Sequence, residues 1–279
     1  MASNSGDEIV RHYTKADEAS RLRTGWFQLE QARTRELILR YLPAAPARVI
    51  DVGGAAGAYA CWLASLGYEV HLIDPVPRHV EQARAASDAQ PRNPLASATL
   101  GDARKIEQAD QSADAMLMLG PLYHLTERSD RLTALREARR VARTGAPIFV
   151  AAISRFSALL DSLSGGFFDQ PEFAAILDRG LAEGQHRNPT GNLLYFTDAV
   201  FHRPDELAAE LRESGLDLVD VLPVEGPGWL ARDFGRLWND SGQRERLLAA
   251  LRKIEHEPSL IGASSHLLAI GRNAIGQTK

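Results

Sequence analysis

The sequence predicts an α/β protein built on a mostly parallel sheet with helices on both faces. Two observations predict this class. From Arg48 onward, short apolar runs alternate with longer segments of helical periodicity, which is the order that builds βαβ units. One of the runs, residues 113–119, is almost wholly apolar, as expected of a strand buried on both faces. We therefore predict a seven-stranded sheet.

The seven predicted strands follow one another through regular connections. They cover residues 48–53, 69–74, 98–100, 113–119, 147–153, 216–221 and 266–271. Helices are predicted over residues 58–66, 78–86, 130–142 and 204–214, with a polar helical insertion at about 230–256. Pro204 suits the first turn of its helix, and Gly67 and Gly145 suit turns that lead into strands.

Two segments stand outside this alternation. Residues 7–42 have the pattern of one or two amphipathic helices, so we predict an N-terminal helical cap over 1–45 and a second domain over 46–279. The segment 154–199 carries six aromatic residues among glycines without a clear period, and we interpret about 155–199 as a lid inserted after the fifth strand. The aromatic residues either line an apolar lid or form a small core of their own. The cap either closes over a ligand or only covers the sheet edge.

Composition limits the partners that the chain can have. The 279 residues are 44% hydrophobic and 24% charged, which is typical of a folded soluble protein. A net charge of −4 gives no general attraction to nucleic acid, and no apolar run is long enough to span a membrane. The single cysteine, Cys61, allows neither an internal disulfide nor a multi-thiolate metal site. We predict a cytoplasmic protein without metal, either a monomer or a homodimer.

The end of the first predicted strand carries the most informative motif. Residues 51–57 read DVGGAAG, and glycines at such a turn let the backbone pass close to a ligand at the amino end of the next helix. The turn resembles the first motif of class I S-adenosylmethionine-dependent methyltransferases, an acid followed by spaced glycines. Asp51, Gly53 and Gly57 match that motif, whereas Ala55 stands where the middle glycine is usual. The resemblance extends over roughly residues 48–153, and more loosely over 204–271.

This resemblance implies a Rossmann-like fold, S-adenosylmethionine as cofactor and a set of site residues. The acid that ends the second strand, Asp74, is implied to bind the ribose hydroxyls, and Asp102 is implied to lie near the adenine. A carboxylate can accept two hydrogen bonds from adjacent hydroxyls. The full set of expected cofactor contacts is Asp51, Gly53, Gly54, Gly57, Asp74, Pro75, Asp102, Ala103, Leu119, Gly120 and, from the cap, Tyr13.

Nicotinamide binding is the main alternative, because it also uses a glycine turn and an acid after the second strand. The G-x-G-x-x-G pattern started at Gly53 requires glycine at position 55, where the chain has alanine. A carboxylate at Asp51 also favours a cationic amino-acid ligand over an anionic pyrophosphate. An NAD(P)-dependent oxidoreductase is therefore the least favoured hypothesis.

Methyl transfer is expected to need few catalytic residues. Methyl transfer from a sulfonium is an in-line displacement that chiefly needs orientation and exclusion of water. Tyr123 and His124 follow the fourth strand, where this fold presents substrate-side groups, and either residue could orient or deprotonate an acceptor. His124 could equally bond the backbone at a helix start. Tyr13, His186 and His202 are further candidates.

Two methyltransferase classes are disfavoured. The chain lacks the Asn/Asp-Pro-Pro-Tyr/Phe pattern of enzymes that methylate DNA bases and glutamine, and Cys61 is misplaced for a cytosine C5 nucleophile. We predict a methyltransferase that acts on an oxygen, nitrogen or carbon atom of a small molecule, of the kind met in secondary metabolism. The runner-up is a regulatory or other protein that binds S-adenosylmethionine without transferring its methyl group.

Overall fold

A computed structural model describes residues 21–274 of the chain, and within them nine strands alternate with eleven helices. The strands are β1 Arg48–Val52, β2 Glu69–Asp74, β3 Ser97–Leu100, β4 Ala115–Met118, β5 Pro147–Ser154, β6 Gln185–His186, β7 Ala199–His202, β8 Leu216–Pro223 and β9 His266–Asn273. The helices are α1 Phe27–Tyr41, α2 Ala58–Ser65, α3 Pro77–Asp88, α4 Pro121–His124, α5 Arg128–Val141, α6 Ser157–Gly165, α7 Pro171–Glu183, α8 Pro204–Glu213, α9 Phe234–Asn239, α10 Ser241–Ile254 and α11 Pro258–Ile261.

Seven strands form the main sheet, in the order β3-β2-β1-β4-β5-β9-β8. Strands β1 to β5 are parallel, and β9 runs antiparallel to both of its neighbours. The other two strands, β6 and β7, are short, and β7 joins the end of β5 through two residue pairs. The predicted α/β class with a mostly parallel, Rossmann-like sheet is confirmed. The expected count of seven omitted the two short strands because they lie in the irregular segment after β5.

Both faces of the sheet are buried, since successive residues of a strand point to opposite sides. On one face, Ile50 and Val52 belong to a core with residues of α5 and α8. On the other face, Val49 belongs to a core with residues of α1, α2 and α3. This double burial explains why the central strands are nearly continuous apolar runs in the sequence.

The segment after β5 forms a small core of its own. The rings of Phe167, Phe173 and Tyr195 pack with centroid distances of 5.0 Å between the two phenylalanines and 5.2 Å between Phe173 and Tyr195. Phe168 is exposed instead. Of the two interpretations given to these aromatic residues, the satellite core is the one that the packing supports.

The sheet topology brings the ends of several strands to one edge. Parallel strands β1, β2 and β4 end there, and β9 begins there because it runs in the opposite direction. Residues that follow β1, β2 and β4 therefore meet residues that precede β9. Within residues 21–274, none of the helices combines the length and apolar character that crossing a bilayer requires.

Candidate functional site

A cavity lies at the carboxyl edge of the parallel strands. Of the predicted site residues, those that line it are Asp51, Gly53, Gly54, Asp74, Pro75, Asp102, Ala103, Leu119, Gly120, Tyr123 and His124. Gly57 does not line the cavity, and Tyr13 lies outside the described residues. No described residue of 155–199 lines the cavity either, so closure by that segment stays a prediction.

The turn between β1 and α2 is compact because glycines occupy its tightest points. Gly53 has φ +72°, and a Cβ atom there would lie 2.7 Å from the Pro121 ring. Gly57 has φ +85° and lies against Ala83 and Cys61, so its role is to let the helix α2 begin close to α3. Ala55 itself adopts φ +47°, the left-handed region where the related motif has glycine.

Gly53→Ala tests this turn. We expect the free energy of unfolding to fall by about 2–4 kcal/mol, because a left-handed alanine costs about 1–2 kcal/mol and the new methyl group collides with Pro121. Gly145→Ala is the matched control, since Gly145 has φ +79° but nothing within 4 Å of its Cβ position. Urea unfolding of both variants measures the difference. Equal losses in both would show that the contact with Pro121 has no energetic effect.

Asp51 is the most unusual ionisable group of the site. Its side chain is buried at the end of β1, and neither carboxylate oxygen has a hydrogen-bond partner among the described residues. Burial, and then the nearby charge of Asp74, raise the pKa of Asp51 to about 7. A buried carboxylate without partners is costly, so the arrangement suits a cationic ligand that enters the cavity.

Asp74 is buried at the end of β2, and its carboxylate accepts hydrogen bonds from the turn between β1 and α2 and from the residues before α3. Its Oδ2 accepts the Ala55 N–H at 2.9 Å, and its Oδ1 accepts the Val76 N–H at 2.9 Å. The His79 Nδ1 lies 3.0 Å from the same Oδ1 and is the donor of that bond, because an ionised carboxylate only accepts. With about four acceptor positions on a carboxylate, Asp74 keeps room for about one further donor.

Asp102 lies at the far end of the cavity, after β3. Its carboxylate receives hydrogen bonds from the Arg104 side chain at 2.6 Å and 3.0 Å and from the Arg104 N–H at 2.8 Å. These bonds lower the pKa of Asp102 and keep it ionised. Asp102 therefore lines the cavity in an ion pair that the sequence reasoning did not foresee, and its place beside the adenine stays a prediction.

The proposed substrate-side residues lie on α4 beside the cavity. The Tyr123 and His124 ring centroids are 4.6 Å apart, and Phe196 lies 6.0 Å from His124. The other two histidine candidates lie outside the cavity. His186 is buried and bonds the Tyr195 carbonyl at 2.6 Å, and the His202 Nε2 lies 3.4 Å from Glu210.

The cavity also includes residues that sequence reasoning missed. Among them are Arg21, Leu22, Glu30 and Thr34 from the N-terminal segment, Tyr59 of α2, His79 of α3, Val224 after β8, and His266 and Leu268 of β9. Only His79 had a readable signal, because Pro77 starts a helix whose first turn faces back toward Asp74. The others come together through contacts between segments that are distant in the chain.

Comparison with known proteins shows similarity to methyltransferases. The sequence profile of the methyltransferase domain family matches residues 49–145. An uncharacterized methyltransferase of Mycobacterium tuberculosis is 36% identical over 104 residues, which make up 37% of this chain and 39% of the relative's length. A ubiquinone biosynthesis O-methyltransferase of Xanthomonas axonopodis pv. citri is 28% identical over 237 residues, or 79% of this chain and 87% of that protein. In the segment 49–145, the chain is therefore similar to S-adenosylmethionine-dependent methyltransferases.

The fold also resembles solved structures of S-adenosylmethionine-dependent methyltransferases. The S-adenosylmethionine-dependent methyltransferase from Methanosarcina mazei superposes with a TM-score of 0.56 at 16% identity, covering 86% of this chain and 98% of the other. S-adenosylmethionine carries an ammonium group and two ribose hydroxyls. The unpartnered oxygens of Asp51 suit the ammonium group, and the remaining acceptor position of Asp74 suits a ribose hydroxyl. The residues of the cavity therefore fit this cofactor.

Proposed function

We propose that the protein transfers a methyl group from S-adenosylmethionine to a small molecule. The observation that carries this proposal is the buried, unpartnered carboxylate of Asp51 in the same cavity as Asp74. An anion at β1 and an acceptor of hydroxyl hydrogen bonds at β2 match two groups of the cofactor. A purely structural acid at Asp51 would be expected to have hydrogen-bond donors around it.

The residues divide the work between binding and exclusion of water. Asp51 would hold the ammonium group, Asp74 would orient the ribose, and Gly53 would let the backbone approach the ligand. The cofactor supplies an electrophilic methyl group on a sulfonium. The apolar side chains of Leu22, Leu119 and Leu268 would keep water from that part of the cavity.

A small molecule is the acceptor that the site favours. The net charge of −4 gives no attraction to a nucleic-acid backbone. The described N-terminal residues, including Leu22 and Glu30, form one wall of the cavity and restrict its size. The Xanthomonas relative is an O-methyltransferase by name, which favours oxygen over nitrogen or carbon here too. We place the reaction in small-molecule metabolism, including secondary metabolism.

Two measurements test the proposal. Calorimetry with S-adenosylmethionine, S-adenosylhomocysteine and NAD should give binding of the first two alone. Incubation with S-adenosylmethionine and a panel of phenols, amines and carbon nucleophiles should then release S-adenosylhomocysteine together with a product heavier by one methylene unit. Tight binding without any release would favour the non-methylating alternative, and binding of NAD alone would overturn the assignment of the cavity.

A further inference from the structure

We propose that His266, held by Glu225, accepts the proton of a hydroxyl acceptor, which makes the protein an O-methyltransferase. This inference rests on the proposed function and specifies its acceptor. His266 begins β9 and lines the cavity, and its Nδ1 lies 2.7 Å from Glu225 Oε1. Neither residue belongs to the motif that resembles the family.

Hydrogen bonds hold the Glu225 carboxylate in place beside the His266 ring. It is fully buried, and its Oε2 accepts the Ser264 hydroxyl at 2.8 Å and the His266 N–H at 2.9 Å. Its other oxygen is thus left for the His266 ring alone. The bond at Nδ1 fixes the ring orientation and leaves Nε2 as the atom that can exchange a proton. Among the described residues, the hydrogen bond made by the His266 ring is the one between Nδ1 and Glu225.

The position of His266 suits an acceptor better than the cofactor. Strands β1, β4 and β5 lie between β2 and β9, so four strand spacings, about 19 Å, separate Asp74 from His266 along the sheet. His79 also pairs with an acid, but that acid is Asp74, the predicted ribose ligand. Asp51, at the end of β1, lies between Asp74 and His266 along the sheet. The wall at β9 is therefore the part of the cavity that the cofactor contacts leave open.

The charges of this wall favour a neutral hydroxyl over an ammonium acceptor. Arg21 binds Glu30 through two hydrogen bonds of 2.7 Å and 3.1 Å, and Glu225 is bound by His266. Both carboxylates thus already have a partner. Val224 and Leu268 add apolar surface that suits the body of a phenol or similar compound.

A metal site formed by the same groups is the less favoured hypothesis. Glu30, Glu225 and His266 offer atoms within 4.8 Å of one another. However, the Arg21 guanidinium already neutralises Glu30, and hydrogen-bond donors already occupy both oxygens of Glu225. A cation would have to displace these donors, whereas a proton acceptor at Nε2 needs no rearrangement.

The step balances without a further reactant. The hydroxyl oxygen forms a bond to the methyl carbon while the carbon–sulfur bond breaks, and the electron pair of that bond stays on sulfur. The hydroxyl proton moves to His266 Nε2. Burial disfavours the charged ring, but the charges of Glu30 and Glu225 outweigh both burial and Arg21, so the pKa of His266 is raised. The neutral ring needed for the reaction then forms only on the alkaline side of the usual histidine range.

His266→Asn is the decisive variant, because asparagine can still donate to Glu225 from the position of Nδ1 but has no atom in place of Nε2. We expect kcat with a phenolic acceptor to fall about 100-fold or more, and the affinity for S-adenosylmethionine in calorimetry to change less than about threefold. His71→Asn is the matched control. His71 also pairs with a glutamate, Glu69 at 2.9 Å, but lies outside the cavity, and we expect unchanged turnover.

A pH titration gives a readout that does not depend on turnover. The His266 ring resonance, assigned by its loss in His266→Asn, should titrate above the usual histidine pKa and move to lower pH in Glu225→Gln. Turnover of phenols should rise with pH over the same range. Unchanged kcat in His266→Asn, or turnover of amine or carbon acceptors alone, would overturn this inference and leave the proposed function standing. No turnover with any acceptor would overturn both.

Discussion

Replacing Asp74 with alanine is expected to weaken S-adenosylmethionine binding at least about 100-fold. The variant loses a charge-assisted hydrogen bond to a ribose hydroxyl, worth about 1.5–3 kcal/mol. It also frees the Ala55 N–H, which the carboxylate holds in the binding turn at 2.9 Å. Since about 1.4 kcal/mol corresponds to tenfold in affinity, the two effects together reach two orders of magnitude. Calorimetry with S-adenosylmethionine and S-adenosylhomocysteine measures the loss.

The same variant should also be less stable. Asp74 accepts hydrogen bonds from two backbone N–H groups and from His79, and each buried donor left without an acceptor costs about 1–3 kcal/mol. We expect the free energy of unfolding to fall by about 3 kcal/mol or more. Asp217→Ala is the control, because Asp217 is exposed on β8 away from the cavity. Lower stability with unchanged affinity would restrict Asp74 to a structural role in the turn.

Asp51 should make both stability and binding depend on pH. Its pKa rises from 3.8 to about 7 on folding, so between these values the folded protein binds a proton that the unfolded chain releases. The contribution of protonated Asp51 is complete below about pH 4 and is lost as the pH rises through 7. At about 1.4 kcal/mol per pKa unit, the loss amounts to about 4 kcal/mol.

Asp51→Asn removes this dependence. Without ligand, the variant should gain stability over the parent protein as the pH rises from 5 to 8, and urea unfolding across that range measures the gain. Asp74 and the Cys61 thiol are the titratable groups that interact with Asp51, so Cys61→Ala serves as a second background. A constant difference between parent and variant at every pH would contradict the raised pKa.

Cofactor binding should show the opposite trend with pH. The ammonium group of S-adenosylmethionine needs ionised Asp51, so affinity should rise up to about tenfold per pH unit below pH 7 and level off above it. Asp51→Asn should bind weakly at every pH. Calorimetry at pH 6 in buffers of different ionisation enthalpy should reveal release of a proton on binding by the parent protein alone. Binding without proton release would show that the ligand cation does not meet Asp51.

The sequence predicted several of the residues that line the cavity after β1, β2 and β4, because local physics determines where strand ends lie. Buried parallel strands are nearly continuous apolar runs, and the residues after them meet at one edge by topology. Asp51, Asp74 and Gly120 could therefore be placed from their positions at strand ends. Ala55 has a left-handed φ of +47°, so the backbone follows the turn predicted from the motif although alanine replaces the usual glycine.

The part of the cavity beside β9 could not be predicted in the same way. Glu225 and His266 are hydrogen-bonded but separated by 40 intervening residues, and no period links them. Glu30 reaches the cavity only because α1 packs on the sheet, which helical periodicity indicates without giving the contact. The segment after β5 was irregular in sequence because its aromatic residues serve a separate small core.

The two halves of the cavity come from different stretches of chain. One contiguous stretch, residues 51–125, contains all the predicted cofactor contacts that line the cavity, and the methyltransferase profile covers that stretch within residues 49–145. The opposite wall is assembled from residues 21–34, 224 and 266–268. Substitutions in these three segments should therefore change the choice of acceptor while residues 51–125 keep the same sequence.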